Sequence, residues 1–277
     1  MSTKLKVGIL DLYKGVPNEG MRCIKMLLEE FFDKSDFEGS YEIFDVRGEE
    51  AVPEIHNFDV FISTGGPGSP LLEGHTWEAN YFGFIDQLIQ YNQENEKKKH
   101  LFAICHSFQL LIQHFQFSQV SKRKSTSFGV MPVHKTEAGE HEAIFEGLEE
   151  PFWAVDSRDY QAIQADFDKI EAFGASILCI EKERPHVPLE RAIMAVRFTP
   201  EIIGTQFHPE ADADGMYRYF QTEEKRAAVI NEYGEEKFND MLEYLEDPEK
   251  IMFTESVIIP NFLRIATGQL VEQGVNY

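Results

Sequence analysis

Cys105, His208 and Glu210 lie far apart along the chain, yet together they carry the side chains that thiol-based acyl transfer needs. Cys105 stands in "AICHSFQLL" (103–111), after a short apolar run and before what reads as the first turn of a helix. The dipole of that helix favours negative charge on a sulfur at its start. A sharp strand-to-helix corner demands small residues two before and two after the nucleophile, and Ala103 and Ser107 meet the demand. The alternative for any cysteine is a packed core thiol, its commonest fate. Cys23, within a helical pattern, and Cys179, within a strand pattern, fit that alternative.

A thiol nucleophile needs a base, and the base needs an orienter. In "GTQFHPEAD", His208 and Glu210 are two apart at the end of an apparent strand. Side chains at i and i+2 leave a strand on the same face. Glu210 can therefore hold the imidazole in one tautomer while its other nitrogen faces Cys105. Taken alone, His-Pro-Glu reads as a surface turn; beside a corner cysteine it completes a triad. Acyl transfer also needs donors for an oxyanion. The backbone N–H of His106, at the helix start, is one candidate. The loop "STGGPGSP" (63–70) supplies the other, because glycines let main-chain amides approach a ligand closely. The loop lacks G-x-x-x-x-G-K-[ST], which excludes a phosphate-cradling Walker loop.

These residues must be held by a scaffold. Apolar β-type runs at 6–13, 41–46, 58–66 and 100–105 alternate with helical patterns, the first capped by Asn18. Such alternation predicts an α/β fold with a mostly parallel central sheet and helices on both faces. Cys105 and the 63–70 loop then fall at carboxyl ends of strands, where open α/β sheets bind ligands. After Val120 the pattern changes. "FGVMPVHKT", "PFWAVDSRDY", "KIEAFGASILCIEKE", "RAIMAVRF" and "EIIGTQF" read as strands with little helix between, a small antiparallel extension returning a last strand to the main sheet. From Asp212 the chain reads as helical: one or two acidic amphipathic helices, then a final helix over 256–270. With no internal repeat and no linker, residues 1–277 are expected to form one domain.

Composition narrows the partners. Hydrophobic residues make up 43% of 277, enough for one large domain. The net charge of −22 repels phosphate backbones, and the basic cluster Lys122-Arg123-Lys124 reads as a solvated loop, so nucleic acid is not expected. No apolar run approaches the ~20 residues of a membrane span. The polar start runs straight into a strand and shows no signal peptide. Three widely spaced cysteines show no metal-ligand spacing; reduced thiols in a cytoplasmic protein, with no metal, are expected.

Three motifs in order carry a resemblance: Gly65-Gly66-Pro67-Gly68-Ser69-Pro70, Ala103-Ile104-Cys105-His106-Ser107-Phe108-Gln109, and His208-Pro209-Glu210. Together they resemble the class I (triad) glutamine amidotransferase family, with its flavodoxin-like fold, and within it glutaminase domains such as that of GMP synthase. The resemblance spans roughly residues 6–210. It implies that Cys105 attacks the side-chain amide of glutamine, that a γ-glutamyl thioester forms and ammonia leaves, and that water activated by His208 releases glutamate. It implies oxyanion donors at Gly66 and His106, and substrate contacts at Gln109, Gly68, Asp156 and Ser157. No cofactor is implied; the expected partners are a small-molecule substrate, glutamine or a γ-glutamyl compound, and a separate synthetase subunit. Two departures stand out. The glycines flanking the family's nucleophile are Ala103 and Ser107 here, and Asp156 takes the place of a histidine. The same residues therefore also fit a stand-alone γ-glutamyl peptide or amide hydrolase, or a non-catalytic relative that binds a metabolite or partner. Residues 211–255 are an addition beside the expected site, readable as a lid, a docking surface or surface decoration.

Overall fold

Apolar residues in the first strands alternate between two faces, and each face is covered by its own helices. The computed structural model describes residues 3–221, 223–246 and 248–269. In chain order the elements are β1 (Thr3–Asp11), α1 (Glu19–Lys34), β2 (Phe37–Asp45), β3 (Val60–Ser63), α2 (Thr76–Glu94), β4 (His100–Ile104), α3 (His106–His114), β5 (Gln119–Lys135) and α4 (Glu137–Glu140). There follow β6 (Phe152–Ile163), α5 (Phe167–Phe173), β7 (Ser176–Glu181), β8 (Ile193–Thr199), β9 (Ile202–Thr205), α6 (Ala213–Gln221), α7 (Glu223–Tyr233), α8 (Glu235–Glu246) and α9 (Pro248–Ala266). Val7, Ile9, Val60, Ile62, Phe102 and Ile104 point to the face covered by α1 and α9. Leu10, Phe61, Leu101 and Ala103 point to the face covered by α2 and α3. This period of two, with both faces buried, is what a parallel sheet under helices requires.

The sheet runs β2-β1-β3-β4-β9-β8-β7-β5-β6. From β2 to β9 the junctions are parallel; from β9 to β6 they are antiparallel. The sheet is thus mixed, and its antiparallel half is as wide as the parallel half. The returning strand expected from "EIIGTQF" is β9, which pairs with β4 and so sets His208 beside the Cys105 corner.

Several local expectations are corrected. The first part of "KIEAFGASILCIEKE" is helix α5, not strand: Asp166 caps it by accepting from the Lys169 amide, and Gly174 ends it at φ 79°. Lys122-Arg123-Lys124 is not a solvated loop but part of β5. Gly234, at φ 88°, divides the acidic helical stretch into α7 and α8. The last helix begins at Pro248 and continues through Pro260, because Ile258, Ile259, Phe262 and Leu263 are buried around the interruption. It ends at Ala266, short of the expected residue 270.

The added segment is a buttress. Val229, Phe238 and Leu245 pack on Phe128, Val130 and Val155 of β5 and β6. At its start Arg22 of α1 grips Asp212 at 2.6 Å, and Arg218 reaches Glu19 at 3.1 Å. Among the described residues, no helix is long and apolar enough to cross a membrane.

One carboxyl on this side of the fold carries a pH signature. Burial, then Asp212 and Glu30, against the pull of Arg22, push Glu255 up to about 7. A raised carboxyl stabilises the fold in its protonated form, so the contribution is present below the ordinary value near ~4.3 and lost as pH rises through about 7. Glu255→Gln is expected to raise the thermal midpoint at pH 8 and leave it unchanged at pH 5; equal shifts at both pH values would refute this.

Candidate active site

The corner at Cys105 is strained. Its φ of 49° and ψ of −95° are unusual for a side chain larger than glycine, and such strain persists only where surrounding contacts enforce it. Backbone and Ser107 bonds do so here. The Cys105 amide donates to the Thr205 carbonyl of β9 at 2.7 Å, and the Gln109 amide closes the first turn of α3 on the Cys105 carbonyl at 3.0 Å. The Ser107 hydroxyl donates to the Ser63 carbonyl at 2.8 Å and accepts from the Ile104 amide at 2.8 Å. Ser107, where the resemblance expects glycine, is thus tied into the corner. Ala103 is accommodated because its partner across β9 is Gly204, where an added Cβ would stand 3.3 Å from the alanine methyl and 3.0 Å from its carbonyl oxygen.

His208 lies just beyond β9. Its amide donates to the Val155 carbonyl of β6 at 2.8 Å, joining the end of one strand to the next wall of the cleft. Its Nδ1 is 2.8 Å from Oε1 of Glu210. Glu210 is fully buried, and its Oε2 has no hydrogen-bond partner among the described residues. The Cys105 thiol also lies within reach of the imidazole. Burial opposes charge on this ring, but Glu210 and then Cys105 outweigh it, so His208 holds its proton well above the ordinary histidine range. One point shows how close the groups stand. A Cβ added to Gly65 would lie 3.0 Å from Cε1 of His208, 3.0 Å from the Tyr13 hydroxyl and 3.7 Å from Cβ of Cys105.

Cys105, His208 and Tyr13 face an open cleft of about 490 Å³, and the buried Glu210 stands behind it. Of the positions expected from sequence, Cys105, Gly66, His106, Gly68, Gln109, Ser157 and His208 line it. Gly66 tolerates no side chain, since a Cβ would stand 2.7 Å from the Leu12 carbonyl oxygen. Gly68 sits at φ 85°, a backbone region that favours glycine. The Ser157 carbonyl faces the Cys105 sulfur at 3.8 Å. Gln109 lines the cleft but also donates to Oε1 of Gln206 at 2.7 Å, and Gln206 in turn donates to Sγ of Cys105 at 3.6 Å.

Asp156, expected as a substrate contact, does not line the cleft. Both its oxygens accept from Nε of Arg158 at 3.0 Å, and Oδ2 also accepts from the Ser127 hydroxyl at 2.7 Å. Its side chain belongs to a buried ionic cluster instead. There Nη2 of Arg158 donates to Glu181 at 2.9 Å, and Glu181 also accepts from Arg123 at 3.1 Å. Arg158 forms part of the cleft wall, held by this cluster.

Sequence reasoning missed Gln206 and Tyr13. Gln206 is the first residue past β9, two before His208. Tyr13 follows β1 and lines the cleft; burial, then Glu210 and Cys105, push its hydroxyl well above the ordinary tyrosine value, so it stays neutral. The other two cysteines are unsuited to attack. Burial pushes Cys23 up to about 12 and Cys179 well above the usual thiol range.

Comparisons with known proteins bear on the family and the fold. The family described as "Glutamine amidotransferase class-I" matches residues 36–221, more than half of the chain. No curated protein sequence matches. A glutamine amidotransferase of Thermotoga maritima superposes with a TM-score of 0.66 at 15% identity, covering 95% of this chain and 97% of its own. The glutaminase domain of Trypanosoma brucei CTPS with bound acivicin gives 0.58 at 12%, covering 95% and 94%. A protein of Thermoplasma acidophilum described as a GMP synthase subunit gives 0.57 at 16%, covering 96% and 95%.

Proposed function

Because the chain belongs to the class I glutamine amidotransferase family, we propose that it is a cysteine hydrolase that releases ammonia from glutamine through a γ-glutamyl thioester on Cys105. The observation that carries this reading is the placement of His208, held by Glu210 at 2.8 Å through Nδ1 and turned toward the strained Cys105 corner. With the shared proton on His208, the Cys105 sulfur attacks the amide carbon. The charge that develops on the carbonyl oxygen is met by the backbone N–H groups of Gly66 and His106. The imidazolium returns its proton to the departing ammonia, and the C–N bond breaks. Water then enters, His208 removes its proton, and the thioester opens to glutamate and free thiol. Glu210 stabilises the imidazolium that both halves require.

Gln109 and Ser157 border the position of the bound amide, and Gly68 lets the loop pass close to it. The released ammonia passes to an acceptor activated by a separate synthetase. The Thermoplasma relative, described as one subunit of a GMP synthase, supports a partner of that kind.

Acid quench of the protein turning over L-glutamine, followed by peptide mass mapping, tests the reading. A glutamyl adduct on Cys105 is the expected result. An adduct on Cys23 or Cys179, or turnover with Cys105 replaced, would overturn it.

A further inference from the structure

The loop 65–70 supplies one of the two expected oxyanion donors, yet Gly65, Gly66 and Gly68 give it wide conformational freedom. Donors at such a site accelerate a reaction only if they are held before charge develops. Two side chains from elsewhere in the chain meet this loop. Arg47, just past β2, donates through Nη1 to the Pro67 carbonyl at 2.7 Å and to the Leu12 carbonyl at 3.3 Å. Its guanidinium lies over the Trp77 ring at 5.3 Å, and its Nε is buried without a partner. Among the described residues no carboxylate comes within salt-bridge distance of it, although Asp45, Glu73 and Glu78 lie in its wider surroundings. The ring of His106, 2% exposed, adjoins the Gly66 backbone, while its Nε2 is buried and unpartnered.

We propose that Arg47 is a positioning residue of this site: together with the His106 ring it clamps the loop at Gly66 and Pro67, so that the Gly66 amide points into the cleft before substrate arrives. The catalytic meaning of the clamp rests on the acyl-transfer reading above; its mechanical part does not. Holding two successive residues fixes the peptide planes that follow the Gly66 nitrogen, and the nearby Leu12 carbonyl limits what rotation remains. The device also places beside the loop a positive charge with no salt-bridge partner among the described residues, next to a ring kept neutral. Burial, then Arg47 itself, against the Gly66 backbone, hold His106 down at about 4. The ring therefore keeps one protonated and one bare nitrogen throughout the neutral range.

The test uses the full chain with Arg47→Met, Arg47→Lys and His106→Gln. Three quantities are read: kcat and KM on L-glutamine, the rate of Cys105 alkylation by iodoacetamide, and amide hydrogen exchange of the peptide covering 64–72. Alkylation uses the nucleophile but no oxyanion donor. For Arg47→Met the expected result is a kcat lower by about 10²-fold, the usual cost of a donor displaced by about 1 Å, with KM and alkylation unchanged and faster exchange in the loop. Arg47→Lys keeps the charge but loses the planar fork, and is expected to recover only part of kcat. Wild-type loop exchange in Arg47→Met, or a fall in alkylation matching the fall in kcat, would overturn the proposal. Should Arg47→Met not fold, unchanged exchange in both Arg47→Lys and His106→Gln would overturn it. If the wild-type protein turns over no glutamine, the acyl-transfer reading fails, and the exchange measurement still decides the clamp.

Discussion

Cys105→Ala is expected to lower glutamine turnover by about 10⁶-fold, the loss typical when a triad nucleophile is removed, with no change in the thermal midpoint. The fold should survive because the corner is held by backbone and Ser107 bonds, and the sulfur contributes only long contacts at 3.6 and 3.8 Å. His208→Ala should cost nearly as much, since the proton carrier for both half-reactions is lost. Glu210→Gln should cost less, about 10⁴-fold, because an amide still holds the ring in place. It should also leave a pH signature. Burial alone would pull His208 below its ordinary value, and the Glu210 carboxylate opposes that pull most strongly. The imidazolium that protonates the leaving ammonia is present below the raised value and lost as pH rises through it. In Glu210→Gln the alkaline limb of kcat/KM should therefore move to lower pH. Equal losses in His208→Ala and Glu210→Gln with an unmoved alkaline limb would refute the assigned roles.

Arg158→Met is expected to cost about 3–5 kcal/mol of folding stability, the range found when one partner of a buried ion pair is removed. Arg158 and Asp156 are almost fully buried, their side chains 1% and 2% exposed. Without the guanidinium, Asp156 keeps only the Ser127 hydroxyl, whereas Glu181 retains Arg123 and Arg184. The penalty is thus a stranded carboxylate, and Arg158→Met with Asp156→Leu should recover most of the loss. Urea unfolding of the wild type and both variants measures it. A double variant as unstable as the single one would show that the guanidinium acts through packing of the cleft wall instead.

Much of this arrangement is legible in the sequence, and the reasons differ from part to part. The strands flanking the site are short apolar runs ending in glycine or cysteine, and burial on both faces writes a continuous hydrophobic signal. His208 and Glu210 are readable because they stand two apart just past an apolar run; β9 itself ends at Thr205, and the pair meets in the turn beyond it. Helix α5 escapes notice because its seven residues mix charge and apolarity too briefly to show a period. Lys122–Lys124 mislead because a strand closing over a buried acid looks, residue by residue, like a basic loop. Asp156 and Ser157 are neighbours, and sequence does not say which of the two faces of β6 borders the cleft. Arg47 and Tyr13 stay hidden for another reason. Their contacts with the site come from strand ends distant in sequence, and no local pattern encodes a meeting of that kind.

The pairing of Ala103 with Gly204 bears on which substitutions the elbow admits. The tight spot at the elbow belongs to two facing strands at once, and what it limits is the combined bulk of both partners. A methyl tolerated on one strand is compensated by its absence on the other. A larger residue is therefore admitted at either position only while the facing one stays small, so the two must be varied together.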